Sequence, residues 1–192
     1  MSAYTAASLT DDRLVSRYPR EISLSDNKQV TLTPMVPSDW KMLEDFIGDT
    51  PAADRKFFRR DISDPDRVMR WCKELDYQHI LPLLAWHEGR IVADAALQRE
   101  PGLWTAHIGR LRVLVHPDYR HLGLATHLVD ELSGVARDFG LHKLVHECAA
   151  EQIDLISMLE QQDFSVAARL PEFICDRNGQ YHEMVFMVLG LE

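Results

Sequence analysis

Apolar residues along the chain recur with two different periods, and the changes of period mark out its elements. Over residues 21–35 Val30, Leu32 and Met35 supply the apolar positions of two short strands around a polar turn. Trp40, Leu43, Phe46 and Ile47 then fall at helical spacing, with Ser38 or Asp39 available as a cap. A second helix is signalled where Ser63, Pro65 and Asp66 precede Val68, Trp71, Cys72 and Leu75, the pattern of a capping box with proline near the first turn. "ILPLLAW" (80–86) and "RIVADAAL" (90–97) read as a hairpin turning at Glu88 and Gly89. Pro82 has no N–H to give a ladder, which predicts an edge or a bulge at that point of the first strand.

"HIGRLRVLV" (107–115) is a further strand. After an irregular stretch, Leu124, Leu128, Leu132, Val135, Ala136 and Phe139 keep helical spacing up to Gly140, a C-terminal cap. "KLVHECA" (143–149) predicts a strand, and "EQIDLISMLEQQ" (151–162) a helix whose apolar face carries Ile153, Ile156 and Leu159. The segments 164–176 and 181–189 flank Asn178-Gly179, a hairpin signal. Hairpins followed by strand-helix-strand-helix-hairpin predict an α/β chain built on a mixed sheet with some parallel pairing.

The chain has 192 residues, enough for one substantial core. We expect a mobile leader over residues 1–18 and a single domain over 19–192. The first eighteen residues contain no apolar block of a secretory leader, and the longest apolar runs fall short of the roughly 20 residues that span a bilayer. No membrane partner is expected. Three cysteines, Cys72, Cys148 and Cys175, form no CxxC pair and leave an odd one over, which predicts a reducing, cytoplasmic setting. Acidic residues outnumber basic ones 30 to 21. That balance repels a nucleic-acid backbone, so no nucleic-acid partner is expected, and it leans weakly towards a cationic acceptor.

The irregular stretch is "HPDYRHLGLATHL", residues 116–128. A strand that ends in a short turn and feeds a helix leaves the first helical N–H groups unpaired at the positive end of the helix dipole, and such a place attracts an anion. Gly123 lets the backbone approach closely, Ala125 keeps the next position small, and Arg120 adds a charge for phosphate oxygens. Each charge-assisted contact contributes about 1.5 to 3 kcal/mol, so three or four would hold a diphosphate firmly. No GKS or GKT follows, and the spacing is not GxGxxG, so neither a Walker loop nor a dinucleotide fingerprint is present.

"LRVLVHPDYRHLGLATHLVDEL" resembles the acyl-CoA signature of the GNAT superfamily of N-acetyltransferases, Q/R-x-x-G-x-G/A after a strand ending in Val. Arg120, Gly123 and Ala125 fill its three defined places. The order of elements, the Asn-Gly hairpin and the "QQDF" close of the last helix extend the resemblance over residues 19–192. It implies the GNAT fold, a mostly antiparallel mixed sheet with a splayed central parallel pair, flanked by about four helices. It also implies an acetyl-CoA-dependent N-acetyltransferase using acetyl-CoA as cosubstrate, with no metal and a primary amine of a small molecule or protein as acceptor. A homodimer is left open.

By the same resemblance the diphosphate of coenzyme A lies on the backbone of Arg120, His121, Leu122, Gly123, Leu124, Ala125 and Thr126. The pantetheine arm runs along Val113, Leu114 and Val115, the strand 143–149 splays away, and Gln152 stands where an asparagine often touches the cofactor. Leu159 occupies the place of a tyrosine that protonates the leaving thiolate in many members, and Arg110 the place of a catalytic glutamate in the protein-lysine branch. His121 and Leu122 replace the commoner glycine and basic residue.

Transfer to an amine needs a neutral nucleophile and a donor for the developing oxyanion, with no covalent enzyme intermediate. Glu147 on the neighbouring strand is the candidate base, against a partly solvated strand carboxylate. Asp94, which interrupts the apolar "IVADAAL", is a further candidate, weighed against pairing with a nearby Arg, and His107 and His146 are others, weighed against local hydrogen bonds. Cys148 reads as a small core residue. His142 and His146, four apart across a loop and a strand, do not make a metal pair. "RKFFRRD" reads as an amphipathic turn with Phe57 or Phe58 buried and Arg59 and Arg60 solvated, in preference to a basic, aromatic acceptor-binding patch. The competing class is an acyl-CoA sensor without turnover.

Overall fold

In a computed structural model, which describes residues 14, 16–55, 64–100 and 104–192, the strand signals become one eight-stranded sheet in the order β1-β2-β3-β4-β5-β6-β8-β7. The strands are β1 (Arg20–Ser23), β2 (Gln29–Pro34), β3 (Ile80–His87), β4 (Arg90–Gln98), β5 (Ile108–Val115), β6 (Lys143–Ala149), β7 (Ser165–Cys175) and β8 (Tyr181–Gly190). The helices are α1 (Trp40–Asp49), α2 (Ala52–Arg55), α3 (Pro65–Lys73), α4 (Leu124–Asp138) and α5 (Ile153–Gln161). Among the described residues that is one helix more than expected, because the single turn α2 carries no apolar period. All neighbouring strands run antiparallel except β5 and β6.

A core lies on each face of the sheet. On one face α4 lays Leu124, Leu128, Leu132 and Val135 against Val92, Leu97 and Leu111, and α5 adds Ile156 and Leu159. On the other face α1 and α3 bury Leu43, Phe46, Val68 and Cys72 against Leu84 and Ile91. Residues that alternate along a strand reach opposite cores. Thus Leu111 packs with α4, while Leu114 packs with α1 and α3.

Local signals explain most boundaries. Gly140 takes φ 72° after α4, and the amide of Leu141 reaches back to the carbonyl of Ala136, closing the helix as a Schellman turn. Glu88 and Gly89 both take positive φ, as a type I′ hairpin requires. Pro82 lies just past the last residue of β3 that pairs with β2, and its carbonyl accepts the amide of Met35 there, so the missing N–H breaks no ladder bond. The bulge sits instead between Ala85 and Trp86.

Two expectations change. Helix α3 is capped by Asp64, whose carboxylate accepts the amide of Asp66, and Ser63 lies outside the described residues. Ile153, expected on the buried face of α5, is exposed because it is the helix's first residue and its side chain stands clear of the sheet.

Of the expected leader, residues 1–13 and Val15 lie outside the described residues, and so do Phe57, Phe58, Arg59 and Arg60. Leu14 and Tyr18 are buried, and Arg17 and Arg20 both pair with Glu131 of α4, whose side chain is 1% exposed. The segment before β1 is therefore tied to the helix that opens the anion loop. Removing both cations would leave a buried carboxylate unpaired, a loss of about 3 to 5 kcal/mol. Arg17→Ala with Arg20→Ala is expected to lower urea-unfolding stability by that amount; a loss under about 1 kcal/mol would contradict the clamp.

Candidate active site

Strands β5 and β6 pair only at Ile108↔Lys143, Gly109↔Leu144 and Arg110↔Val145. Beyond Arg110 they part: β5 continues to Val115 bonded to β4 alone, and β6 continues to Ala149 bonded to β8 alone. The result is a fork in the middle of the sheet. Its closed end is packed tightly, since a Cβ on Gly109 would come within 2.9 Å of Leu97, Leu144 and Leu141.

The open arm of β5 presents its main chain to the gap. The amide of His116 bonds the carbonyl of Val92, so even-numbered residues of β5 direct their N–H and C=O groups to β4. The main-chain groups of Leu111, Val113 and Val115 consequently face the gap, and the carbonyl of Val115 accepts Nε of Arg120 at 3.1 Å. Leu114, expected in the same pantetheine track, bonds towards β4 and turns its side chain to the α1/α3 core.

At the end of that arm a short 3-10 turn, Pro117–Tyr119, leads into the loop before α4. Gly123 is the N-cap of α4 with φ 84° and ψ 0°, a left-handed conformation that side chains rarely adopt. The amide of Arg120 is taken by Pro117. Among the described residues, the amides of His121, Leu122, Gly123, Leu124, Ala125 and Thr126 have no hydrogen-bond acceptor. The loop is held from behind, where the carbonyl of Leu122 accepts the amide of Ser25. The dipole of the 15-residue helix α4 adds its positive end at the same place.

The side chain of Arg120 points elsewhere than its signature place suggests. Its Nη2 pairs with Asp54 of α2 at 2.7 Å, so its charge is shared with a carboxylate while its main chain starts the loop. The side chain of Gln152 likewise turns inward, its Oε1 accepting the amide of Ala149 and bracing the β6–α5 turn.

On the α1/α3 face of the fork stand four charges. Arg110 pairs with Glu147 across the split, and Arg112 pairs with Asp94 of β4 at 2.7 Å while its guanidinium lies 5.2 Å from the ring of Trp71. Asp94 is fully buried, and burial holds its carboxyl above the usual carboxylate range in spite of the Arg112 charge. Its Oδ1 and the Nη2 of Arg112 are buried and have no hydrogen-bond partner among the described residues.

Other candidates fall away from the gap. His107 stacks edge-on with His142 at the closed end. His146 is buried and alternates with Glu147 to the opposite face. Burial pushes the Cys148 thiol up to about 11, which keeps it protonated and unreactive. Leu159 is wholly buried in the α4/α5 core. Among the described residues no group of three His, Cys, Asp or Glu side chains forms a metal site, and no helix is long and apolar enough to cross a membrane. Asp94 pairs with a nearby arginine, one of its two expected roles; that arginine, Arg112, was legible in "GRLRVLV", whose period of two puts Arg110 and Arg112 on one face.

The tip of β6 is fixed by a clamp. His182 of β8 places Nδ1 2.6 Å from Glu151 and Nε2 3.2 Å from Asp176, and the amide of Ala150 donates to the carbonyl of Glu183. Hydrogen bonds to Glu151 first, and then to Asp176, raise the imidazole's pKa. The amide of Gln180 leads the groups that lower the carboxyl pKa of Asp176. A raised histidine pKa stabilises the fold fully below about pH 6.5, and that contribution is lost as pH rises through the raised value. The lowered aspartate pKa stabilises above about pH 3.9 and is lost as pH falls through the lowered value. His182→Asn is therefore expected to lower the melting temperature clearly at pH 6 and by less at pH 9. An equal decrement at both would contradict a protonated clamp.

Comparison with known proteins agrees with this geometry. The acetyltransferase (GNAT) family pattern matches residues 41–164. The chain is similar in fold to the GNAT domain of S. lividans PAT, with 18% identity, TM-score 0.75, and 92% of this chain and 98% of that one covered. It is similar also to yncA of Salmonella typhimurium, a putative acetyltransferase solved with its cofactor acetyl-CoA, at 19% identity, TM-score 0.71 and coverage of 85% and 94%. A third is the ribosomal-protein-alanine N-acetyltransferase of Brucella melitensis, at 21% identity, TM-score 0.71 and coverage of 83% and 99%. No curated protein sequence matches the chain. With the forked parallel pair, the signature loop and a family pattern spanning well over half its length, the chain belongs to the GNAT family of acetyltransferases.

Proposed function

We propose that the protein moves the acetyl group of acetyl-CoA directly to a primary amine of a small-molecule or protein acceptor. The observation that carries this reading is the set of main-chain amides from His121 to Thr126 that find no acceptor among the described residues at the mouth of the fork. A thioester supplies the activated acetyl group; the chain supplies the rest. The amides hold the diphosphate, the gap-facing main chain of Val113 and Val115 pairs with the pantetheine arm, and the N–H of Val113 is the donor for charge developing on the carbonyl oxygen. Leu114 contributes its place on the strand, Gln152 braces the turn, and Arg120 anchors the loop between Asp54 and Val115.

Glu147 reaches the α1/α3 face of the gap, held in place by Arg110, and takes one proton of the incoming ammonium; the amine then bonds the acetyl carbon, the C–S bond breaks, and the departing thiolate takes up the amine's second proton to leave as free thiol. The three free thiols fit a reducing compartment such as the cytoplasm. Leu159, buried where the family resemblance places a tyrosine, favours a second reading, an acyl-CoA sensor. Thiol release from acetyl-CoA over a panel of small amines and peptides separates the two. Acceptor-dependent release is expected. Binding of acetyl-CoA with no release for any acceptor would establish the sensor.

A further inference from the structure

The charges on the acceptor side of the fork are layered. The two carboxylates lie behind, Glu147 with 13% and Asp94 with 3% of its side chain exposed, and the two guanidiniums lie in front, each 41% exposed. In a chain of net charge −9, this face therefore presents cations to an arriving molecule. Arg110 and Arg112 are two apart on β5, so they share a face about 7 Å apart, on either side of the gap-facing residue Leu111.

Arg112 is held more firmly than packing needs. Burying Asp94 completely beneath one guanidinium is expensive, and an apolar pair at these positions would be no worse for stability. What the pair does is fix Arg112 beside Trp71, with Nη1 on Asp94, Nη2 buried, and the exposed part of the side chain turned to an arriving molecule. Two fixed, partly exposed guanidiniums on one face beside the gap match a carboxylate.

We infer that the acceptor is a free amino acid or close analogue, whose carboxylate is bound by Arg112 and Arg110 while its amine is directed to Glu147. Asp94 acts as a positioning residue for Arg112. This inference rests on the acetyl-transfer reading above. It disfavours a polyamine, which would meet the guanidiniums head on, and a protein lysine, which carries no neighbouring carboxylate.

Thiol release from acetyl-CoA with the common amino acids, each compared with its own carboxamide, tests it on the unaltered protein. At least one free amino acid is expected to exceed its carboxamide in kcat/KM by about 10- to 100-fold, the range of one or two charge-assisted hydrogen bonds. Arg112→Lys, which keeps a cation against Asp94, is expected to raise KM for that amino acid about tenfold while leaving KM for the carboxamide unchanged. Calorimetric titration with the N-acetylated amino acid reads the same preference without turnover, and Arg112→Lys is expected to weaken that binding by a similar factor. Carboxamides, peptides or polyamines accepted as well as free amino acids would overturn the inference and leave acetyl transfer standing. Coenzyme A binding with no thiol release for any acceptor would overturn both.

Discussion

Gly123→Val is expected to weaken coenzyme A binding at least about 100-fold, the loss of two charge-assisted main-chain contacts. Gly123 holds φ 84° at the start of α4, and a β-branched residue there is a steric outlier. The loop must either carry strain of about 1 to 2 kcal/mol or rotate, and rotation re-aims the acceptor-free amides of Leu124 and Ala125. Because an added Cβ meets nothing within 4 Å, the substitution leaves the core untouched, and the fold should survive it. Calorimetry gives the affinity, and a melting curve checks the fold. A folded variant whose Kd changes less than about threefold would contradict the role of the loop.

Glu147→Gln is expected to lower the rate of acetyl transfer by about 100- to 10,000-fold, the usual contribution of a positioned acid or base. Affinity for coenzyme A should stay the same, since Glu147 lies on the α1/α3 side of the fork and makes no part of the anion loop. The glutamine keeps the size of the side chain and a partner for Arg110, so the strands should remain parted as they are. A fall of less than about fivefold would assign the proton to another group.

Much of the frame follows from short-range rules. The Glu88-Gly89 and Asn178-Gly179 turns, the Gly140 cap and the helical period of α4 each depend on neighbouring residues alone, and each forms where it is expected. The anion loop was legible for the same reason: Gly123 is required by a local φ, and the orphan amides follow from the start of any helix.

What could not be read depends on residues far apart in the chain. Arg120 reads in the sequence as a charge for phosphate oxygens because Asp54, its partner, lies 66 positions away. Glu131 interrupts the apolar stripe of α4 between Leu128 and Leu132, a signal of a buried charge, yet its partners Arg17 and Arg20 come from a segment with no apolar period. Glu147 was recognised on its strand, while the pairing with Arg110 that governs its position needs the register of the parallel pair.

The central claim is that main-chain amides between His121 and Thr126 bind the diphosphate of coenzyme A. An amide proton–nitrogen spectrum recorded during titration with coenzyme A, and again with pantetheine, which lacks the phosphates, tests it directly. Coenzyme A is predicted to shift the Gly123, Leu124, Ala125 and Thr126 amides downfield, and pantetheine to leave them in place. Saturation by coenzyme A with those four amides unmoved would contradict the account.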